Sequence, residues 1–144
     1  MRLTRALLHD MLGIVLLLTL DQVSKYFVQV WGFHYVLNQG SVAGIGRGLG
    51  IQGWWWAIPS LMILTLLWRS CNLWGCNMTF RIARVLLSAG IVGNLVDRIY
   101  HGAVLDFIDI SIGSFHWPTF NFADIYLVMG VFLVLSTLVS KKHV

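Results

Sequence analysis

Four long apolar runs, separated by shorter polar segments, dominate the hydrophobic pattern of this chain. They occupy about residues 7–30, 54–70, 82–99 and 122–140. A helix of about 20 apolar residues crosses a bilayer, and the pattern is typical of such helices. The second run opens at Trp54-Trp55-Trp56 and nearly closes at Trp68, and tryptophan favours both membrane interfaces. We therefore predict an all-α membrane protein, with four transmembrane helices in a single domain over residues 1–144.

The composition supports a membrane protein. Apolar residues make up 58% of the chain and charged residues 11%, with a mean hydropathy of +0.77, whereas soluble domains carry about 25% charged residues. The formal net charge is +4, but its placement matters more than its size. We expect membrane lipid around the chain and no nucleic-acid partner.

The first apolar run imitates a signal peptide but lacks the features of one that is removed. Asp10 interrupts it early, no small-x-small cleavage site follows, and Asp21 and Lys25 come instead. We expect a retained first transmembrane helix. The two cysteines, Cys71 and Cys76, lie in a polar link that we predict over Arg69–Arg84. They have no histidine or further cysteine beside them, so they predict no zinc site.

The basic residues predict the orientation. One side of a four-helix arrangement receives Arg2, Arg5, Arg69, Arg81, Arg84, Lys141 and Lys142, whereas only Lys25, Arg47 and Arg98 fall on or near the other. By the positive-inside rule both termini lie in the cytoplasm. The segments 31–53 and 103–119 are then extracytoplasmic. Within them His34–Leu37 and Val104–Ile110 are β-prone, which predicts a small β-like element on the outer surface.

The acidic residues are the candidate chemistry. The chain has six aspartates and no glutamate, and Asp97, Asp106 and Asp109 fall within Gly93–Asp109. At 1.5 Å per residue, Asp97 lies about 20 Å of helix beyond Arg84. Asp124 lies about 25 Å before Lys141 by the same measure. Two separate regions of the chain should therefore deliver acids to the same outer interface.

The third helix should end at Gly102, because glycine is a helix stop signal. The link between the third and fourth helices is short, so we expect these helices to be antiparallel neighbours.

Other polar residues accompany these acids. Asp21 and Lys25 are four apart on one helix face, and Asn94, Asp97 and Arg98 share another. Charges inside a membrane segment hold helices together or serve a site, and both interpretations stay open for Asp21 and Lys25. Asn38 either satisfies loop backbone or binds the main chain of a substrate.

Two carboxylates held close together share a proton, because both cannot ionise easily. The ionised partner can take a proton from water that attacks a carbonyl, as in aspartic proteases. This chemistry needs no metal or cofactor, and the sequence offers no convincing set of metal ligands. The alternatives are a small proton- or ion-coupled transporter and a structural subunit. In such a transporter, the acids that pass the proton or ion should continue through the middle of the membrane. The second run and the centres of the first and fourth runs, however, contain no acid.

Five blocks in order resemble the lipoprotein signal peptidase family, also called signal peptidase II. They are Asp21–Lys25, Asn38–Gly40, Gly93–Arg98, Gly102 through Val104–Ile108, and Asn121–Asp124. The resemblance implies an intramembrane aspartic endopeptidase of the bacterial inner membrane. It would remove the signal peptide from a prolipoprotein once a diacylglyceryl group is attached to the lipobox cysteine, and globomycin would inhibit it.

Carried over to this chain, the resemblance makes Asp106 and Asp124 the catalytic pair. The supporting or substrate-binding residues would be Asp21, Lys25, Asn38, Gly40, Asn94, Asp97, Arg98, Asn121 and Ala123. The segment Val42–Ile45 departs from the family pattern, which more often has an aromatic residue after the small ones. We expect the protein to act as a monomer.

Overall fold

The computed structural model describes residues 2–39, 57–74 and 77–141. These residues form four helices and four short strands, in the order α1 (Arg2–Val30), β1 (Val36–Asn38), α2 (Ala57–Trp74), α3 (Met78–His101), β2 (Val104–Asp106), β3 (Ser111–Ile112), β4 (Phe115–His116) and α4 (Phe122–Lys141). Gly40, the segment Val42–Ile45, the triple tryptophan and Cys76 lie outside the described residues.

Three of these helices are long and apolar enough to cross a membrane. The stretches are Arg5–Val30, Met78–His101 and Phe122–Val139, and α2 contributes a shorter apolar stretch, Ile58–Ser70. Many of their large apolar side chains face outward, including Leu16 and Phe132. An outward-facing apolar surface of this extent suits a bilayer rather than water. The prediction of a predominantly helical membrane protein is confirmed.

The connection between α2 and α3 is shorter than the sequence pattern indicated. We predicted a polar link over Arg69–Arg84, but α2 continues to Trp74 and α3 begins at Met78. Asn77 is the N-cap of α3, because its side chain accepts a hydrogen bond from the backbone N–H of Phe80 at 2.8 Å. Arg84 is therefore a buried helical residue and not part of a surface link.

Helix α3 lies at the centre of the bundle. Asp10 of α1 contacts Arg81 and Arg84, whereas Lys25, further along α1, contacts Asp97. These contacts advance in the same direction along both helices, so α1 and α3 run parallel. On another side, the Arg84 guanidinium stacks over the ring of Trp68 at 4.1 Å and ties α2 to α3.

Helix α4 packs antiparallel to α3 through small residues. A Cβ atom on Gly90 would lie 2.6 Å from the carbonyl oxygen of Ala123, and one on Gly130 would lie 2.6 Å from Cγ of Leu87. Glycine at these positions allows the helices to approach closely, as is common in membrane bundles. The expectation that the third and fourth helices are antiparallel neighbours is met.

Two small sheets lie at the end of the bundle where α3 stops. Gly102 ends α3 in the left-handed conformation, at φ 67°, as the sequence indicated. Strand β1 pairs antiparallel with β2, with Val36 opposite Asp106 and Asn38 opposite Val104. Strands β3 and β4 form a second antiparallel pair. This hairpin turns at Gly113, where φ is 62°, and the hydrophobic pattern did not indicate it.

Candidate active site

The site is built around Asn121, which is fully buried and precedes the first residue of α4. Its Oδ1 accepts a hydrogen bond from the backbone N–H of Asp124 at 3.0 Å, and its own backbone N–H donates to Oδ2 of Asp124 at 3.1 Å. This reciprocal arrangement is a capping box at a helix N-terminus. It fixes the carboxylate of Asp124 at the start of the helix, where the positive end of the helix dipole favours a negative charge.

The same asparagine also binds the second acid. Nδ2 of Asn121 donates to Oδ1 of Asp106 at 2.8 Å. Asp106 is the last residue of β2, and its other oxygen, Oδ2, accepts a hydrogen bond from Nδ2 of Asn38 at 3.2 Å. Asn38 is the last residue of β1, so the pairing of β1 with β2 brings these two side chains together. The carboxyl groups of both acids are thus bonded to one residue, Asp124 through the backbone N–H of Asn121 and Asp106 through its side chain.

Asn94 of α3 completes this group. Its Nδ2 donates to Oδ1 of Asp124 at 2.8 Å, and its Oδ1 lies 3.2 Å from Nδ2 of Asn121. Arg98, one turn further along α3, donates from Nη1 to the backbone carbonyl of Asn94 at 3.1 Å. Each oxygen of both acids therefore accepts a hydrogen bond from a neutral group, and this arrangement fixes both carboxyl groups without neutralising either one.

Burial and charge change the pKa of Asp106, which lies outside the membrane-spanning helices. Its pKa rises from 3.8 to about 6, mainly because burial disfavours the charged form. The hydrogen bond from Asn38 opposes this rise, the negative charge of Asp124 adds to it, and the hydrogen bond from Asn121 opposes it again. The charge of Asp124 therefore acts on Asp106, but burial has the larger effect on the pKa of Asp106.

A buried ion network of Asp21, Lys25 and Asp97 contacts the backbone next to both acids. Nζ of Lys25 lies 2.7 Å from Oδ2 of Asp21 and 2.8 Å from Oδ2 of Asp97, and all three side chains are at most 3% exposed. Oδ1 of Asp21 accepts the backbone N–H of Ala123 at 3.0 Å. Oδ2 of Asp97 accepts the backbone N–H of Leu105 at 3.2 Å.

The network therefore holds the two backbone segments that carry the acids. Leu105 directly precedes Asp106, and Ala123 directly precedes Asp124. The charges of Asp21 and Lys25 join α1 to α3 and also contact the segments that carry the two acids, so both interpretations of these residues stay open. Two carboxylates share one ammonium group here, and each has a backbone hydrogen bond in addition, as a buried ion pair requires.

Gln22 is a member of this network that the sequence analysis did not single out. Its Nε2 lies 3.1 Å from Oδ2 of Asp21, 3.0 Å from Oδ1 of Asp97 and 3.3 Å from the carbonyl oxygen of Gly93. The available signal was a polar residue next to Asp21 near the end of an apolar run. Three other ionisable residues near this end of the bundle, Asp109, His34 and His101, are exposed and are not part of the network.

An open apolar cleft leads to Asp124. Its volume is about 540 Å³, and it lies between the β3–β4 hairpin and the first half of α4. The lining residues are predominantly apolar, including Ile112, Phe115, Trp117 and Val128, and Asp124 is the ionisable residue among them. This cleft could hold an apolar ligand and present it to a carboxylate. Within the described ranges, no three His, Cys or Asp side chains come close enough together to form a metal site.

Together the fold and the site define a helical membrane protein with two hydrogen-bonded acids at one end of its bundle. Comparison with known proteins identifies the family. Residues 13–140 match the family model described as signal peptidase (SPase) II. The chain belongs to the signal peptidase II family, and the resemblance recognised in its sequence is confirmed.

Individual relatives agree with this assignment. The lipoprotein signal peptidase of Syntrophus aciditrophicus is 34% identical over an alignment that covers 90% of each chain. That of Blochmanniella pennsylvanica is 33% identical, with 83% of this chain and 82% of the relative covered. A solved structure described as a bacterial membrane enzyme superposes with a TM-score of 0.78 at 30% identity, covering 93% of this chain and 89% of the other.

Proposed function

We propose that this protein is an endopeptidase that removes the signal peptide from lipid-modified bacterial prolipoproteins, and that Asp106 and Asp124 activate the attacking water. The observation that carries the mechanism is the shared bonding of both acids to Asn121. The family membership and the names of the relatives support the substrate class. The transporter alternative is not favoured, because the relatives are named as peptidases.

The chemistry follows from one proton shared by two carboxyl groups. The ionised carboxylate accepts a proton from water as the water oxygen attacks the peptide carbonyl carbon. The protonated carboxyl donates a hydrogen bond to the carbonyl oxygen as negative charge develops there. A proton then passes to the departing amine, and the C–N bond breaks. The raised pKa of Asp106, about 6, favours a protonated carboxyl in the pair more than an ordinary aspartate would.

The membrane location suits such a substrate. Both the signal segment and the diacylglyceryl group are apolar, so the bilayer would hold them beside the enzyme. The apolar cleft reaches Asp124 from the α4 side and is large enough for part of a lipid or an apolar peptide segment, since ligand sites typically enclose 300–1,000 Å³. In this proposal the cleft receives an apolar part of the substrate, and the scissile bond lies between the cleft and Asp106.

We also propose four membrane spans, with both termini in the cytoplasm and the two acids near the outer leaflet of the bacterial inner membrane. The shorter apolar stretch of α2 would be the fourth span. The excess of basic residues at the end where α1 and α3 begin supports this orientation. Reporter tags at the two termini should be accessible only from the cytoplasmic side, and outside accessibility of either would contradict the topology.

The function is tested by cleavage of a synthetic lipobox peptide, with and without the diacylglyceryl group, by the purified protein. We expect cleavage of the lipidated peptide and little of the other, and inhibition by globomycin. Asp106→Asn and Asp124→Asn should each lower kcat by at least about a hundredfold, the lower range for general acid–base catalysis. Asp109→Asn is the matched control, because Asp109 is an exposed acid nearby. Undiminished cleavage by either dyad variant would remove that residue from the mechanism.

A further inference from the structure

A second polar cluster lies at the opposite end of the α1–α3 pair from the two acids. Asp10 of α1 is buried, and its Oδ1 accepts a hydrogen bond from Nη2 of Arg81 at 2.6 Å. Its Oδ2 is bonded by Nη2 of Arg84. Two guanidinium groups therefore share one carboxylate, and two positive charges against one negative charge leave the cluster with an excess of one positive charge. The proposed peptidase mechanism does not use this cluster.

Arg81 has hydrogen-bonding capacity beyond these contacts. Within the residues that the structure describes, the two hydrogen bonds of its side chain both come from Nη2, to Asp10 and to the carbonyl oxygen of Ala6 at 2.8 Å. A guanidinium carries five N–H donors in a planar fork. The Arg81 side chain is 24% exposed, so the remaining donors on Nη1 and Nε can reach a ligand outside the protein.

A cavity of about 230 Å³ lies at this cluster, between α1 and α3. Its polar lining residues are His9, Asp10 and Arg81, and its other lining residues, among them Leu17 and Ile82, are mostly apolar. The first turn of α3 borders the cavity and adds the positive end of a helix dipole. The cavity thus combines a polar part that contains a guanidinium with apolar walls, and one wall residue, Ile82, is exposed on the surface of α3.

We infer that this cavity binds the phosphate group of an anionic phospholipid in the leaflet at the end of the bundle where α1 and α3 begin. The Arg81 fork is suited to phosphate oxygens, which guanidinium groups bind in a bidentate manner. Basic pockets between membrane helices bind lipid headgroups in this way. A soluble phosphate could bind to the same polar lining residues, but only a ligand with an acyl chain would also contact the apolar walls.

The test measures the melting temperature of the purified full chain in detergent, with phosphatidylglycerol, phosphatidylcholine or inorganic phosphate added at equal phosphate concentration. We expect phosphatidylglycerol to stabilise the protein more than the other two. Arg81→Gln should weaken phosphatidylglycerol binding about fivefold, corresponding to about 1 kcal/mol for one basic side chain. Arg69→Gln, which removes an exposed arginine near the end of α2, should leave the binding unchanged.

A second variant leaves the ion cluster intact. Ile82 is partly exposed and lines the apolar part of the cavity, so Ile82→Trp should occlude that part and reduce the phosphatidylglycerol effect even if Arg81→Gln does not fold. Equal stabilisation by phosphatidylglycerol and phosphatidylcholine would overturn the inference. So would equal losses in the Arg81 and Arg69 variants, or an unchanged lipid effect in Ile82→Trp. If inorganic phosphate stabilised the protein as much as phosphatidylglycerol, the inference of a lipid ligand would be overturned and a soluble anion would be identified as the ligand.

Discussion

The side-chain amide of Asn121 donates a hydrogen bond to the carboxylate of Asp106 over 2.8 Å, although the two residues belong to different elements. Because Asn121 also caps α4 and its backbone N–H bonds the carboxylate of Asp124, one buried residue contacts both acids. Helix capping and the alignment of the proposed catalytic pair therefore depend on the same residue, and substitutions can separate the two roles.

We predict that Asn121→Ser retains most of the helix cap and loses the bond to Asp106. A serine hydroxyl can still accept the backbone N–H of Asp124, since serine is a favoured N-cap residue, but it is too short to replace the amide that reaches Asp106. Asn121→Ala loses both contacts and should cost about 1 kcal/mol more than Asn121→Ser, the usual value of an N-cap. Melting temperature and kcat, measured on both variants, separate the effects: kcat should fall in both, and stability more in the alanine variant. A serine variant with wild-type kcat would show that the Asp106 contact is not needed.

A second prediction concerns the single ammonium group between two buried acids. Lys25→Met would leave Asp21 and Asp97 buried without the ammonium group that both now contact. Removal of one partner from a buried ion pair costs roughly 3–5 kcal/mol, so a large drop in melting temperature is expected. Adding Asp97→Asn to Lys25→Met should recover part of the loss, because one uncompensated charge disappears. Simple additivity of the two substitutions would show that Lys25 and Asp97 are not coupled.

The raised pKa of Asp106 predicts how stability depends on pH. Its pKa is about 6 in the folded protein and 3.8 as the ordinary value, so the folded chain holds this proton more tightly than the unfolded chain does. The resulting stabilisation is fully present below 3.8 and is lost as the pH rises through about 6. The melting temperature of the wild type should therefore fall relative to Asp106→Asn across that window. A constant difference between the two proteins would mean that Asp106 titrates normally.

The apolar cleft predicts a substitution that affects substrate binding rather than chemistry. Val128 lines the cleft and is exposed, and Val131 is exposed on the same helix without lining it. Val128→Trp should fill part of the cleft and raise KM for the lipidated peptide by several-fold, while Val131→Trp should leave KM near the wild-type value. Melting temperatures of both variants would control for folding. Equal effects of the two tryptophans would show that the cleft does not receive the substrate.

Much of this arrangement could be predicted from the sequence because membrane constraints act locally. Three features can be recognised from residues that are close together in the sequence. They are the apolar runs, the stop signal at Gly102 and the four-residue spacing of Asp21 and Lys25. The contact between Lys25 and Asp97 could not be predicted from spacing, because it depends on the parallel packing of α1 and α3. Arg84 was misplaced for the same reason: its charge suggested a surface link, but a carboxylate on another helix compensates it inside the bundle.

The candidate site shows the same division. The sequence singled out the two acids and the asparagines around them, but not that Asn38 would bond Asp106, since this depends on the register of β1 against β2. The β3–β4 hairpin was missed because its strands are two residues each, too short to show an alternating pattern.

The glycines of α3 limit how this protein can vary. A methyl group on Gly93 would come within 2.8 Å of Oδ2 of Asp21, and one on Gly90 would meet the backbone of α4. Replacement of either glycine by a larger residue would separate the helices. At Gly93 it would also displace Asp21, whose carboxylate accepts the backbone N–H of Ala123. Glycine, which has no side chain, thus sets the distance between these helices, and the relative position of Asp106 and Asp124 depends on that distance.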